Sequence, residues 1–318
     1  MDADSVMLRK GSQFRFFIIL ISLLCEAQTR ITVLTNLKMR CKTVLITGAN
    51  SGIGFLAAQR LVSMGRKVLV ACRSSEKARE TAKRTGAFPI ETPLELNNID
   101  SVRNFANHVV HSEYSDELDT IVHNAGVFLS EDAKDTLKIN AVSPVYLSSL
   151  LSDLKHLKRT VCVITSPQAQ DSMGLPCPGD LEGTRTCTGI LAQLKTYIHS
   201  KQVLSCAMTY QARDTNQKLV LLAPGAVDTG IHRKLRSSVN FMTRALLYFQ
   251  SFKYHGTPEW AAGSLVRAID GEFDPEIGCV SVADLGKLVT AESYVTDYNS
   301  HMNLNRSIYE LLLEVARK

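Results

Sequence analysis

The sequence predicts an open α/β sheet, doubly wound and mostly parallel, with helices on both faces. It forms a single domain from residue 43 to residue 318. Three observations predict it. Short β-branched runs recur along the chain, each closing on a turn. Stretches of helical period separate them, so strands alternate with helices as βαβ units require. Within the runs, apolar residues follow one another without polar alternation, which marks strands buried on both faces.

The elements follow in order. TVLIT (43–47) is the first strand. GIGFLAAQRLVSMG (52–65) has helical period and stops at a glycine. KVLVAC (67–72) is a second buried strand. SSEKARETAKRTG (74–86) is a polar helix with serine at its start and glycine at its end. LDTIVHNAG (118–126), TVCVITS (160–166) and KLVLLAPG (218–225) repeat the theme of apolar strand and turn. SIYELLLEV (307–315) predicts a closing helix, with Ser307 and Glu310 as its capping box. The sequon Asn305-Arg306-Ser307 is expected to go unused. No boundary separates two halves, and no solenoid repeat is present.

Composition narrows the function classes. Apolar residues make up 45% of 318, enough for a sizeable core and too many for wholesale disorder. The net charge of +5 is scattered, so nucleic acid is not an expected partner. Its main cluster, around Arg30, Lys38, Arg40 and Lys42, suits either a solvated surface or an anionic membrane. Of eight cysteines none forms CxxC, and no Cys/His group has zinc spacing, so no metal is expected. Cys72 and Cys162 fall in apolar runs and read as small buried hydrophobes. Cys177 and Cys187 flank a Pro/Gly-rich loop. They would pair in an oxidising compartment, and the favoured reading is free thiols in a reducing one.

Residues 1–42 stand apart. FRFFIILISLLC (14–25) follows Arg9 and Lys10, and its uninterrupted part is about half the ~20 residues that span a bilayer. One reading is a signal-peptide core, with Cys25-Glu26-Ala27 a poor cleavage site. The preferred reading is a membrane-surface anchor over residues 14–42, aided by ITVLTNL. A third has translation begin at Met39, with residues 1–38 contributing no fold.

Two features carry chemistry. Gly48, Gly52 and Gly54 lie between the first strand and its helix, spaced GxxxGxG. Glycines there permit a tight turn and close backbone approach, and the helix N-terminus offers free N–H groups to a pyrophosphate. The second strand ends at Ala71-Cys72-Arg73. The acid that would bind the ribose hydroxyls of NAD is missing, and a guanidinium stands beside the gap. Arg73 would welcome a 2′-phosphate, so NADP(H) is the expected cofactor.

Together with YIHSK (197–201), these stretches resemble the short-chain dehydrogenase/reductase family, across nearly the whole chain after residue 42. TGANSGIG (47–54) is similar to the family's cofactor loop. HNAG (123–126) is similar to its NNAG motif, with His123 replacing the first asparagine. Asn140 in KINAVSP, Ser166 in VITS, and Tyr197 and Lys201 in YIHSK fall where the family carries its catalytic residues. PGAVDT (224–229) is similar to the segment that passes the nicotinamide. The resemblance implies a Rossmann-type sheet. It also implies cofactor contacts from Gly48, Asn50, Ser51, Gly52, Ile53, Gly54, Arg73, Asn124, Ala125, Gly126, Tyr197, Lys201, Pro224, Gly225, Val227 and Thr229.

Chemically, Tyr197 and Lys201 sit one helical turn apart and project from one face. A nearby ammonium favours phenolate and is expected to lower the pKa of Tyr197. Tyr197 would exchange a proton with the substrate oxygen, Ser166 would orient that oxygen, and Asn140 would anchor a relaying water. His123 and His199 read as structural.

The retinol dehydrogenase-like members are the most similar, through ACRSSEKA (71–78), YIHSK and TPEWAAGS (257–264). They imply a small apolar alcohol or carbonyl, such as a retinoid, steroid or other lipid-like molecule. They also imply an endoplasmic reticulum membrane location with the domain facing the cytosol. The alternatives are cytoplasmic, if residues 1–38 are absent, or luminal, if a signal is cleaved. Residues 228–257, with the aromatic-rich FMTRALLYFQSF (241–252), would cover the substrate. VITSPQAQ (163–170) departs from the family's serine pair and following glycine. A homo-oligomer is a further expectation. The competing function is a nucleotide-binding sensor or partner-binding module with little turnover.

Overall fold

The computed structural model describes residues 43–128, 132–174, 176, 190–227, 255–289 and 301–317. The N-terminal segment, Cys177, Cys187, Thr229 and the stretch FMTRALLYFQSF lie outside the described residues. Residues 42–318 form one compact unit.

Eight strands make the main sheet: β1 (Thr43–Thr47), β2 (Lys67–Ala71), β3 (Phe88–Pro89), β4 (Leu118–His123), β5 (Arg159–Val163), β6 (Lys218–Ala223), β9 (Val280–Asp284) and β10 (Lys287–Leu288). Their order is β10-β9-β6-β5-β4-β1-β2-β3. Every pairing is parallel except β10 with β9, where a turn at Leu285-Gly286 sends the edge strand back. Two short strands, β7 (Ala226–Val227) and β8 (His255–Gly256), pair in parallel as a separate two-stranded sheet.

Helices cover both faces. They are α1 (Gly52–Ser63), α2 (Ser75–Thr85), α3 (Ile99–Val110), α4 (Ala133–Leu137), α5 (Ser143–Leu151), α6 (Pro167–Asp171), α7 (Ile190–Asp214), α8 (Pro258–Asp270) and α9 (Met302–Arg317). A π turn, Lys138–Val142, joins α4 to α5. Two apolar clusters result. One packs Phe105, Leu147, Leu204 and Leu312 from α3, α5, α7 and α9 against one face. The other packs Leu61 and Leu265 from α1 and α8 against the opposite face. The inner strands are buried on both sides, which is why they read as unbroken apolar runs, whereas the edge strands β3 and β10 are more exposed.

The polar helix α2 has the predicted ends. The Ser74 hydroxyl accepts from the Lys77 N–H, and Gly86 takes the left-handed conformation at φ 79°. The last helix corrects the sequence reading. It starts at Met302, so Ser307 is an interior residue donating to the Asn303 carbonyl, and Glu310 pairs with Arg306. No capping box forms. Asn305 of the sequon is fully buried in the same helix.

β1 lies between β4 and β2, so the chain runs outward in both directions from this point. The order reverses between β1 and β4, and outside the carboxyl ends of the strands at such a point open α/β sheets bind their ligands.

Candidate active site

The glycine turn, Arg73, the 124–126 turn, Ser166 and 224–225 follow the ends of strands, while Asn140, Tyr197 and Lys201 come from helical segments. The turn after β1 needs glycine at its first position. Gly48 has φ 66°, its N–H donates to Ala71, and an added Cβ would stand 2.8 Å from the Ala125 Cα. Asn50 and Ser51 are exposed, Gly52 and Ile53 are half-buried, and Gly54 is buried against Asn124. Ser51 precedes α1 in extended conformation and makes no side-chain cap. The N-termini of α2, α3, α4 and α8 are by contrast each capped by a side chain. The first-turn N–H groups of α1 are thus left for something else to accept.

Thr47 fastens this loop to the turn after β4. Its hydroxyl donates to the Val122 carbonyl and accepts from the N–H groups of Asn124 and Ala125 at 3.2 and 3.1 Å. The Asn124 amide donates back to the carbonyls of Thr47 and Gly48. These bonds tie the turn after β1 to the turn after β4. Arg73, after β2, is exposed.

Gly126 is the second glycine that matters. A Cβ there would meet the Asn140 Oδ1 at 3.1 Å and the Lys201 Nζ at 3.3 Å, so its bareness lets both approach. Asn140 lies fully buried in the π turn, a deviation that recurs at functional sites. Its Oδ1 accepts from the Val127 N–H at 2.8 Å. Its Nδ2 donates to the Val127 carbonyl at 2.9 Å and to the Ser200 hydroxyl at 3.0 Å. Both amide hydrogens are spent, so the side chain clips the β4 turn to α7, and any water it holds must use the remaining oxygen lone pair. Ser200 in turn donates to the Tyr197 carbonyl. Sequence reasoning passed over Ser200, although it lies within YIHSK.

Tyr197 and Lys201 project from α7. The Tyr197 ring meets the Phe128 ring edge-on, 4.8 Å between centroids. Lys201 is 3% exposed. Burial governs both groups. It pushes the Tyr197 phenol up to about 12 and draws the Lys201 ammonium down to about 8, the latter moderated by Cys162. The sequence-based expectation of a lowered phenol is therefore not met in the protein alone, where loss of water by burial raises it. The Lys201 charge is felt instead by Cys162 and His123. Burial raises the Cys162 thiol to about 12, and burial with the nearby Lys201 lowers His123 to about 3. His123 is buried and shares a 2.6 Å hydrogen bond with Ser148, the structural role expected of it.

Ser166 lies between β5 and α6, immediately before the helix. Its Oγ accepts from the Ala169 N–H, which leaves its own proton to donate outward. Pro224 is buried after β6, Gly225 turns the chain at φ 78°, and Val227 is buried in the short ribbon.

Comparison with known proteins agrees with this geometry. Residues 42–175 match the family model described as short chain dehydrogenase. Short-chain dehydrogenase anuI of Penicillium roqueforti is 30% identical over 202 residues, which cover 57% of this chain and 77% of that protein. The chain belongs to the short-chain dehydrogenase/reductase family. Within it, retinol dehydrogenase 14 of Mus musculus is 27% identical over 263 residues, covering 74% of this chain and 76% of that one. Among solved structures, a 3-alpha-hydroxysteroid dehydrogenase from Pseudomonas complexed with NADH superposes with a TM-score of 0.57. It is 18% identical and covers 77% of this chain and 96% of that one. The chain is thus a retinol dehydrogenase-like oxidoreductase of the family, and family membership supports a nicotinamide cofactor.

Proposed function

We propose that the protein is an NADP(H)-dependent oxidoreductase that interconverts an apolar alcohol and its carbonyl. The observation that carries this reading is the convergence on Gly126. Lys201, Asn140 and, through Ser200, the Tyr197 backbone all meet beside the turn that follows β4.

The residues fit a nicotinamide dinucleotide. The open N-terminus of α1 suits its pyrophosphate, with Gly48, Asn50, Ser51, Gly52, Ile53 and Gly54 around it. Asn124, Ala125, Gly126, Pro224, Gly225, Val227 and Thr229 would line the rest. Arg73 makes no ion pair among the described residues, and no acid replaces it at the end of β2. It is available to a 2′-phosphate, with the Ser74 hydroxyl and Lys77 adjoining.

When bound, the cofactor supplies or accepts hydride. The chain's own groups handle the proton. Tyr197 gives a proton to the substrate oxygen in reduction, which suits a phenol that burial holds neutral. In the reverse direction the phenol must ionise, and Lys201, together with the positive charge that an oxidised nicotinamide would supply, would oppose the desolvation that otherwise prevents it. Ser166 donates to the substrate oxygen and fixes its direction. Phe128 gives the Tyr197 ring an apolar wall, which favours an apolar substrate. The likeness to a retinol dehydrogenase points the same way, to a retinoid, steroid or other lipid-like molecule. Such substrates partition into bilayers, so residues 14–42 are proposed to hold the enzyme at the endoplasmic reticulum membrane, facing the cytosol.

The test is a panel of retinoids, steroids and small carbonyls, followed by NADPH absorbance with NADH in parallel. Turnover with NADPH on an apolar member is expected. Arg73→Ala should weaken NADPH by about 10–100-fold and leave NADH nearly unchanged. Tyr197→Phe should keep cofactor binding and lose turnover. A preference for NADH in the unaltered protein would contradict the role given to Arg73. Binding without turnover on any substrate would favour a sensor.

A further inference from the structure

We infer that Gln170 and Gln202 are positioning residues, two buried side-chain amides in series that set the Ser166 hydroxyl against the helix carrying Tyr197 and Lys201. The catalytic meaning of this pair rests on the proposed function, and its geometry stands apart from it.

Gln202 follows Lys201 on α7 and is 5% exposed. Its Nε2 donates to the Gln170 carbonyl at 3.3 Å and to the Gly174 carbonyl. Gln170 lies on α6, fully buried, and its own Nε2 donates to the Thr165 carbonyl at 3.1 Å. Thr165 immediately precedes Ser166. An unbroken series of amide-to-carbonyl contacts therefore runs from the residue beside Lys201 to the backbone beside Ser166.

The coupling reaches the hydroxyl itself. The Ser166 Oγ accepts from the Ala169 N–H, and its carbonyl accepts from the N–H groups of Ala169 and Gln170. The α6 turn that Gln202 grips is thus the turn that orients Ser166. The grip joins segments 32 and 28 residues apart, so no local helical preference makes it.

Packing alone does not account for glutamine at position 202. Its Oε1 is buried and finds no donor among the described residues. Leucine or methionine would fill such a space without burying an unsatisfied side-chain oxygen, at the cost of the donor to the Gly174 carbonyl. Breaches of that rule are expected where a side chain serves function. Here the service is two amide hydrogens delivered to two carbonyls of the Ser166 segment.

The test uses the full chain with Gln202→Met, which keeps length and volume, and Gln170→Asn, which keeps an amide on a shorter arm. Amide hydrogen exchange over residues 165–174 should speed up by ~10-fold in either variant, with residues 197–201 unchanged. NADPH affinity should stay within about twofold. With an apolar carbonyl, kcat should fall by about 10–100-fold while KM moves little, the signature of a displaced group that touches the reacting oxygen. The double variant should be no worse than the poorer single, because the contacts act in series. Unchanged exchange over 165–174 in both variants would overturn the inference whatever the activity. Faster exchange with unchanged kcat would reduce the pair to a structural clip and overturn it equally. If the unaltered protein turns over nothing, the enzyme reading fails by itself, and the exchange result still decides whether these amides hold the Ser166 segment.

Discussion

Lys201 and Arg159 are both buried cations, and the protein treats them in opposite ways. Arg159 opens β5, at the amino end of the strand. Its Nε donates to Asp274 at 2.7 Å, its Nη2 also pairs with Asp274, and its Nη1 donates to the Ile269 carbonyl. Asp119 lies 3.8 Å away, and Lys218 shares Asp274 at 3.0 Å. Burial would weaken this guanidinium, and the carboxylates more than reverse it, so Arg159 is raised. Lys201 sits near the other end of the same strand, beside Cys162. Among the described residues it has no carboxylate partner, and burial prevails, drawing it to about 8. One cation is compensated for stability. The other is left without a carboxylate among the described residues, as suits the ligand-binding role proposed for it.

The largest effect that would break this comparison is on activity. Lys201→Met should lower turnover by about 10²–10⁴-fold, with the protein still folded. Activity within tenfold of the unaltered protein would remove Lys201 from the account.

Next comes the compensated end. Asp274→Asn should destabilise the protein by about 3–5 kcal/mol, since it strands a buried guanidinium. Denaturant unfolding measures this. Burial alone would raise Asp274, but Arg159 and Lys218 hold its carboxyl below the ordinary value. The stability it supplies is present above the unfolded carboxylate pKa and is lost as pH falls through the lower folded one. Asp274→Asn should therefore also flatten that part of the acid limb. Nucleotide affinity should not change.

The two ends should differ in sign as well. Lys201 has its folded pKa below its unfolded value. The unfolded chain binds more protons between about 8 and 10.5, so its contribution to stability rises with pH across that window. Its destabilisation below pH 8 is on the order of 3 kcal/mol. Lys201→Met should accordingly stabilise the ligand-free protein at pH 7 by about 1–3 kcal/mol and abolish the rise above pH 8. A loss of stability at pH 7 would mean that the ammonium has a partner.

The smallest effect is at the glycine between the two actors. Gly126→Ala should cost about 1 kcal/mol by crowding Asn140 and Lys201. It should lower turnover by less than about tenfold, because the side-chain ends give way by fractions of an ångström.

The sequence carried the strands and the catalytic spacing because both are local. TVLIT, KVLVA and KLVLLA need only their own composition, and YIHSK needs only one helical turn. What escaped was tertiary. The Arg159 network joins residues 115 apart and leaves no pattern in the chain. Gln170, Ser200 and Gln202 read as ordinary polar helix residues, and only packing buries them. The π turn at Lys138–Val142 and the true start of α9 depend on neighbouring helices in the same way. The direction of the Tyr197 shift was misjudged for this reason too. Spacing reveals a nearby cation, but it does not reveal how much water is lost.

The most direct test of the difference between the two cations is to titrate Lys201 in the ligand-free protein, following its side-chain nitrogen by NMR with Lys201→Met to assign the signal. The account predicts a midpoint near 8. A midpoint at the ordinary lysine value of 10.5 would contradict it, because the site would then already hold the compensation that we assign to a bound ligand.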